Sequence, residues 1–282
     1  MDNLLKLAEA DGAFFRILQI TDTHLFASDT HLFASKEATL LGVNTWGSYQ
    51  SVLKAIEPKA TDIDLIIATG DLAQDQSALA YKHFIEGIAR FSAPCVWVPG
   101  NHDFLPTMAA TLKNDNVRRS KQVLIGERWQ LVLLNSQVPG EAWGELSDDE
   151  LSWFDNALAQ FPERRSLIAL HHHPLPSGCN WLDQSGLRNT ARLEAKLAPY
   201  PLARTAVCGH IHQSLSLDWH GRHIFATPST CVQFKPYCGN FTIDATHPGW
   251  RWLTLYPDGQ IESRVERLKI PNFSPDLTSA GY

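Results

Sequence analysis

Five short polar motifs, each placed directly after an apolar, β-prone run, constrain this chain more than any other feature. They are Asp22-Thr23-His24, Gly70-Asp71, Gly100-Asn101-His102-Asp103, His171-His172-His173-Pro174 and Gly209-His210-Ile211-His212. The runs before them, Phe14 to Ile20, Asp64 to Ala68, Pro94 to Val98, Leu167 to Leu170 and Thr205 to Cys208, read as strands, and Trp129 to Leu134 reads as a sixth. Between them, Trp46 to Ile56, Ser77 to Arg90 and Ser147 to Gln160 carry a helical pattern. The last opens on Ser147-Asp148-Asp149-Glu150, a capping box that satisfies exposed backbone donors at a helix start. Alternating strands and helices predict an α/β architecture. In an open sheet of that kind the carboxyl ends of the strands form one rim, where ligand sites collect. Five clusters far apart in sequence then meet on one edge.

The side chains at that edge suit metal ions. Two carboxylates, one amide and at least four imidazoles are donors for Mn, Fe or Zn. The set contains no cysteine, which argues against a closed structural zinc site. Glycines before Asp71, Asn101 and His210 fit tight turns out of a strand. Asp-x-His in an extended segment puts both side chains on one face, and the same period brings His210 and His212 together. Each motif alone is weak, but five in order are not. His83, His220, His223 and His247 have no such company and read as surface or packing residues. Asp22 to Ser28 is repeated at once as Asp29 to Ser35, DTHLFAS twice. Seven residues are too few for a repeat architecture. Only the first copy leaves a strand directly, so Asp22 and His24 are the expected ligands, with Asp29 and His31 as the alternative pair.

The rest of the chain sets bounds. With 282 residues, 44% hydrophobic and 19% charged, it reads as one folded domain. Residues 14–212 carry the metal motifs, 213–270 read as antiparallel hairpins that complete the sandwich, and 271–282 as a mobile tail. The hairpins are Ser214 to Trp219 with Arg222 to Ala226, and Arg251 to Tyr256 with Gln260 to Val265. A net charge of −6 and the lack of a basic stripe disfavour nucleic acid as partner. No apolar run approaches the roughly 20 residues of a membrane span. The N-terminus lacks a signal-peptide pattern. Five cysteines without Cys-x-x-Cys spacing suit a reducing compartment, so a cytoplasmic protein is expected. Nothing in the sequence sets an oligomeric state.

From Asp22 to His212 the ordered motifs resemble the calcineurin-like metallophosphoesterase superfamily. The flanking stretches Ile20 to Leu25, Leu40 to Trp46, Cys179 to Asn189 (CNWLDQSGLRN) and Thr227 to Pro236 (TPSTCVQFKP) are similar to bacterial 3′,5′-cyclic-AMP phosphodiesterases. That resemblance implies a four-layer αββα sandwich of two mixed sheets, with two metals, Fe or Mn foremost and Zn compatible, at the strand ends. Asp22, His24, Asp71 and His212 would hold one metal. Asp71 would bridge to a second on Asn101, His172 and His210. His172 is preferred because the family's ligand stands two residues before the Pro, here Pro174, and His171 is the alternative. The implied reaction is hydrolysis of cyclic AMP to 5′-AMP by a metal-bridged hydroxide. His102 is the candidate general acid, Asp103 its orienting group, and Asn101 and His102 would also touch the substrate. Trp181, Arg188, Phe234 and Tyr237 are candidates to contact the nucleotide, with packing of the loops as the alternative role of Trp181 and Phe234. Asn135 stands where many relatives carry Asp. A nuclease, a phosphatase or a 2′,3′-cyclic phosphodiesterase on the same scaffold, or a metal-free interaction scaffold, are the alternatives.

Overall fold

Strands that are apolar on both faces need cover on both sides. In Phe15–Ile20, both Phe15 and Ile17 on one face and Leu18 and Ile20 on the other are buried. The computed structural model describes residues 4–8, 14–27, 38–269 and 274–281. From the N-terminus the chain runs through β1 (Leu4–Leu7), β2 (Phe15–Ile20), β3 (Thr39–Leu40), β4 (Val43–Asn44), α1 (Thr45–Ile56), β5 (Leu65–Ala68), α2 (Ala78–Ile88), β6 (Cys95–Trp97) and α3 (Leu105–Thr111). It continues through β7 (Val117–Arg118), β8 (Gln122–Ile125), β9 (Trp129–Leu133), α4 (Asp148–Gln160), β10 (Arg165–Ala169), α5 (Asn180–Asp183), α6 (Thr190–Leu197) and β11 (Thr205–Cys208). The last strands are β12 (Leu215–Trp219), β13 (Arg222–Ala226), β14 (Gln233–Phe234), β15 (Ile243–Asp244), β16 (Gly249–Leu255) and β17 (Ile261–Arg267).

Two mixed sheets result. One has the order β17-β16-β2-β5-β6-β7, parallel from β2 to β7 and antiparallel at β16 and β17. The other has the order β1-β8-β9-β10-β11-β13-β12, parallel from β9 to β13. Ile17, Leu65, Ile67, Val96, Leu131, Leu167, Ala169, Val207 and Leu253 fill the layer between the sheets. The outer face of the first sheet packs on α1 and α2 through Tyr49, Val52, Leu53, Ile56, Tyr81 and Phe84. The outer face of the second packs on α4 and α6 through Leu151, Phe154, Leu158, Leu193 and Leu197. Each such side chain contributes ~1.5–3 kcal/mol by leaving water. The helices start where the sequence provides a cap: Asn44, Ser77 and Ser147 each accept a first-turn N–H, from Gly47, Ala80 and Glu150.

This is the αββα sandwich expected. The two C-terminal hairpins complete it by joining different sheets: β12–β13 extends one, and β16–β17 flanks β2 in the other. Of the tail expected to be mobile, residues 274–281 are described, and there Asp276 N–H donates to Leu41 O at 2.8 Å. Residues 271–273 and 282 lie outside the described residues.

Candidate metal centre and substrate cavity

The five motifs meet between the sheets. Three follow the parallel neighbours β2, β5 and β6 of one sheet, and two follow β10 and β11 of the other. Asp22, His24, Asp71, His171, His172 and His212 are almost wholly buried, with His210 at 7% exposure. The expected strand alternation does not aim five of the donors. Asp22, His24, Asp71, His210 and His212 all have left-handed backbone, with φ of 53°, 46°, 52°, 69° and 51°. Each lies beyond its strand, and the chain coils so that residues two apart face one site. For residues with a Cβ this conformation is unfavourable, and surrounding bonds hold it. Asp22 N–H donates to Gly70 O at 3.0 Å, His24 N–H to Asp71 O at 2.9 Å, and Ser229 Oγ to Asp22 O at 2.7 Å.

The donor atoms fit metal ions. His212 Nδ1 donates to Val232 O at 3.0 Å, and His24 Nδ1 donates to Gln74 Oε1 at 2.6 Å. Both Nε2 atoms therefore present lone pairs, and they face one another at 3.1 Å. Asp22 Oδ1 is 3.4 Å from His212 Nε2, and Asp71 Oδ2 is 3.9 Å from His24 Nε2. Four acceptors pointed at one another in a buried space repel unless a cation joins them. The second group repeats the pattern. His171 Nδ1 donates to Thr69 O at 2.7 Å, so its Nε2 is the atom turned to Asp71 Oδ2 at 3.3 Å, Asn101 Oδ1 at 3.1 Å and His210 Nδ1 at 3.2 Å. His210 Nε2 meets Ser185 Oγ at 2.9 Å. Asp71 stands between the groups, with its Oδ2 turned to both.

His171, and not the preferred His172, therefore faces Asp71 and Asn101. His172 Nδ1 is taken by Ser136 Oγ at 2.8 Å, and its Nε2 has no hydrogen-bond partner. Its ring lies beside the group, with centroids 4.9 Å from His171 and 4.8 Å from His210, and the three imidazoles offer donor atoms within 4.8 Å of one another. Burial opposes charge on His171, but Asp71 and Asp22 outweigh it and raise the imidazole to about 9. Burial also opposes the Asp71 carboxylate, yet His171, His102 and His24 hold it well below its usual range. His24, mainly desolvated, falls to about 3. His102 N–H donates to Asp71 Oδ1 at 2.8 Å, and its ring lies edge-on to His24 with centroids 5.1 Å apart. Asp103 is a backbone clamp. It accepts from Gly100 N at 2.9 Å, from Leu72 N and Ala73 N at 3.1 Å each, and from Tyr81 Oη at 3.1 Å. Burial and the charge of Asp71 push its carboxyl up to about 7. The alternative pair Asp29 and His31 lies outside the described residues.

A cavity of about 1070 Å³ opens onto Asn101, His102 and His210, with Phe104, Asn135, Gln137, Trp143 and Trp181 among its walls. Phe234 is not among those walls: it is 1% exposed and stacks on the His212 ring, centroids 4.5 Å apart, so it backs that imidazole. Trp181 packs edge-on against it at 4.9 Å. Arg188 holds its guanidinium 3.6 Å over the ring of Trp143. Tyr237 is 80% exposed beside Gly178. Trp143 escaped the sequence reading because its place depends on Arg188, 45 residues on. The five cysteines are free thiols. Among the described residues, no helix is long and apolar enough to cross a membrane.

Two mixed sheets with this cluster on their shared rim define a dimetal phosphoesterase fold, and the calcineurin-like phosphoesterase model matches residues 15–214. The chain belongs to that family. It is 57% identical over 282 residues to the 3′,5′-cyclic adenosine monophosphate phosphodiesterase CpdA of Escherichia coli K12, covering all of both chains. It is 43% identical over 274 residues to the enzyme of the same name from Haemophilus influenzae, covering 97% of each. A dimetal phosphatase from Danio rerio shares the fold, with a TM-score of 0.61 at 12% identity over 91% of this chain and 99% of that one.

Proposed function

We propose that this protein hydrolyses 3′,5′-cyclic AMP to 5′-AMP and so lowers the cyclic AMP of the cell. The observation that carries the proposal is Asp71, shared by two buried donor sets at the edge of a nucleotide-sized cavity, in a chain 57% identical end to end to such an enzyme. Asp22, His24, Asp71 and His212 would hold one ion, and Asp71, Asn101, His171 and His210 the other. Iron or manganese suits these donors, with zinc compatible. Such ions supply an activated water as nucleophile and positive charge for the phosphoryl oxygens.

The chain's own groups do the rest. Asn101 and His102 border the cavity beside the donors and position the phosphate. His102 gives a proton to the departing 3′ oxygen, which leaves as an alkoxide and needs one. Asp103 keeps the loop that carries His102 in place through its bonds to Gly100, Leu72 and Ala73. A net charge of −6 disfavours nucleic acid, and the protein acts in the cytoplasm. The test is turnover of cyclic AMP by protein loaded with Fe or Mn, with products separated by chromatography and a chelator control. Chelator-sensitive formation of 5′-AMP is expected. Turnover of a generic phosphodiester without turnover of cyclic AMP would overturn the substrate and leave the metal site standing.

A further inference from the structure

The donors explain how a phosphate is held, but not how the cavity distinguishes a nucleotide from any other phosphodiester. Trp143 supplies a flat surface for that purpose. Its indole is fixed from two sides: Nε1–H donates to Glu141 Oε2 at 2.6 Å, and the Arg188 guanidinium lies 3.6 Å from the ring centroid. A cation over one face stabilises the indole there by ~0.5–2 kcal/mol. With one face taken by Arg188, the partly buried Trp143 still lines the cavity that opens on Asn101, His102 and His210.

The backbone under Trp143 is tied to the metal-site elements. Gly144 N–H donates to Gly186 O at 3.2 Å, and Arg188 N–H to Gly144 O at 2.8 Å, so Trp143 and Arg188 sit on one stitched pair of segments. Gly144 lies flat against His172, where an added Cβ would come within 2.4 Å of the imidazole. On the same connection between β9 and α4, Gln137 Nε2 donates to both Gly100 O and Asp103 O at 2.6 Å, which fixes this loop to the one bearing His102. An aromatic surface so mounted loses little entropy when a flat ligand stacks on it.

We propose that the purine of the cyclic nucleotide stacks on Trp143, with Arg188 as the positioning residue behind it. This rests on the reading that the substrate is cyclic AMP. It also gives Arg188 a place in recognition through the tryptophan, where the sequence suggested contact with the nucleotide.

The experiment compares wild type with Trp143→Ala, Trp143→Phe, Arg188→Ala, Arg188→Lys and the Trp143→Ala/Arg188→Ala double variant. Three readouts are taken: KM and kcat for cyclic AMP, inhibition by 5′-AMP, and inhibition by inorganic phosphate. Stacking of one base on an aromatic ring corresponds to about a 5- to 150-fold change in affinity. Trp143→Ala is expected to raise KM and the inhibition constant of 5′-AMP about ten-fold or more. The kcat and the inhibition constant of phosphate, which needs only the metal site, should stay within about three-fold. Trp143→Phe recovers most of the loss. Arg188→Ala has a smaller effect in the same direction, Arg188→Lys restores it, and the double variant is no worse than Trp143→Ala. An unchanged KM in Trp143→Ala would overturn the assignment while cyclic AMP turnover stood. Parallel loss of kcat and phosphate inhibition would overturn it too, showing that the loop only props the metal site. If wild type leaves cyclic AMP intact, the substrate reading falls separately. The ratio of 5′-AMP to phosphate inhibition of a generic phosphodiester then still decides Trp143, an unchanged ratio in Trp143→Ala overturning it.

Discussion

Replacing Gly100 by Ala tests whether close backbone packing places the shared carboxylate. A Cβ at Gly100 would lie 2.1 Å from Asp71 Oδ1 and 2.4 Å from Asp71 N. Both are roughly 1 Å or more inside ordinary contact, and the nitrogen cannot rotate away as a side chain would. Asp71 must move, and with it the His102 N–H that bonds Oδ1 at 2.8 Å. Overpacking of this kind costs about 1–3 kcal/mol, which for a chain of this size lowers Tm by about 2–12 °C. Displacing a reacting geometry by about 1 Å costs on the order of 100-fold in rate. Gly100→Ala is therefore expected to bind fewer than two metals per chain and to lose about 100-fold in kcat/KM. Gly221→Ala is the control. Its φ is +79° in the β12–β13 turn with no atom within 4 Å of the added Cβ, so it costs about 1 kcal/mol of strain far from the site. Metal content by elemental analysis, melting curves and turnover separate the two. Gly100→Ala with two metals and near-normal turnover would refute the link between Gly100 and Asp71.

His171→Ala should lose about one metal equivalent and 100-fold or more in turnover, whereas His172→Ala should keep both metals and lose about 10–100-fold, the usual effect of an outer partner. Equal metal loss in the two variants would restore His172 as a ligand. Metal-free protein should become less stable as pH rises from about 6.5 to about 9. His171 is raised in the fold to about 9, so its protonated form stabilises below 6.5 and that contribution is lost through 9. Melting curves in chelator that are flat over this range would contradict the charge assignment. Asp183→Asn should lower stability at neutral pH by about 1 kcal/mol, discounted for exposure. Burial opposes its charge, but His173 and Ser177 hold Asp183 down to about 2, so its contribution is present above about 4 and fades toward 2. The gap between variant and wild type should close over that same interval.

The six strands and three helices were legible because apolar runs and caps coincide. β2, β5 and β10 are buried on both faces, and Asn44, Ser77 and Ser147 mark where helices begin. Strand β1 escaped because it is a four-residue edge strand with Lys6 exposed, and its pairing with β8 is over 100 residues distant. The choice between His171 and His172 did carry a signal. Leu167 and Ala169 face the layer between the sheets, while Ile168 and Leu170 face the outer helices. Continuing the period of two puts His171 inward with the donors and His172 outward. The distance to Pro174 masked that parity. Phe234 left two readings open for another reason: an aromatic in a donor-rich stretch can lie behind a donor as readily as in front of the substrate.

What no local pattern revealed is that most of the donor residues lie beyond the strands in left-handed turns. Five of them, from Asp22 to His212, take a conformation that glycine accepts and that costs other residues about 1–2 kcal/mol each. Isolated peptides of these sequences would not hold it. The sheets make it tolerable. Gln19 Nε2, buried between them, donates to Thr69 Oγ1 at 2.9 Å and Cys208 O at 3.2 Å, while its Oε1 accepts from Thr227 Oγ1 at 2.6 Å. Arg251 from β16 reaches Thr227 Oγ1 at 2.9 Å and Ala226 O at 2.7 Å in the other sheet. These bonds join the strand ends that carry Asp22, Asp71 and His210. The strain is thus carried by the sandwich. That is why five short motifs are recognisable in sequence while the turns that aim them are not: the motif is chemistry, and the turn is enforced by residues tens to hundreds of positions away.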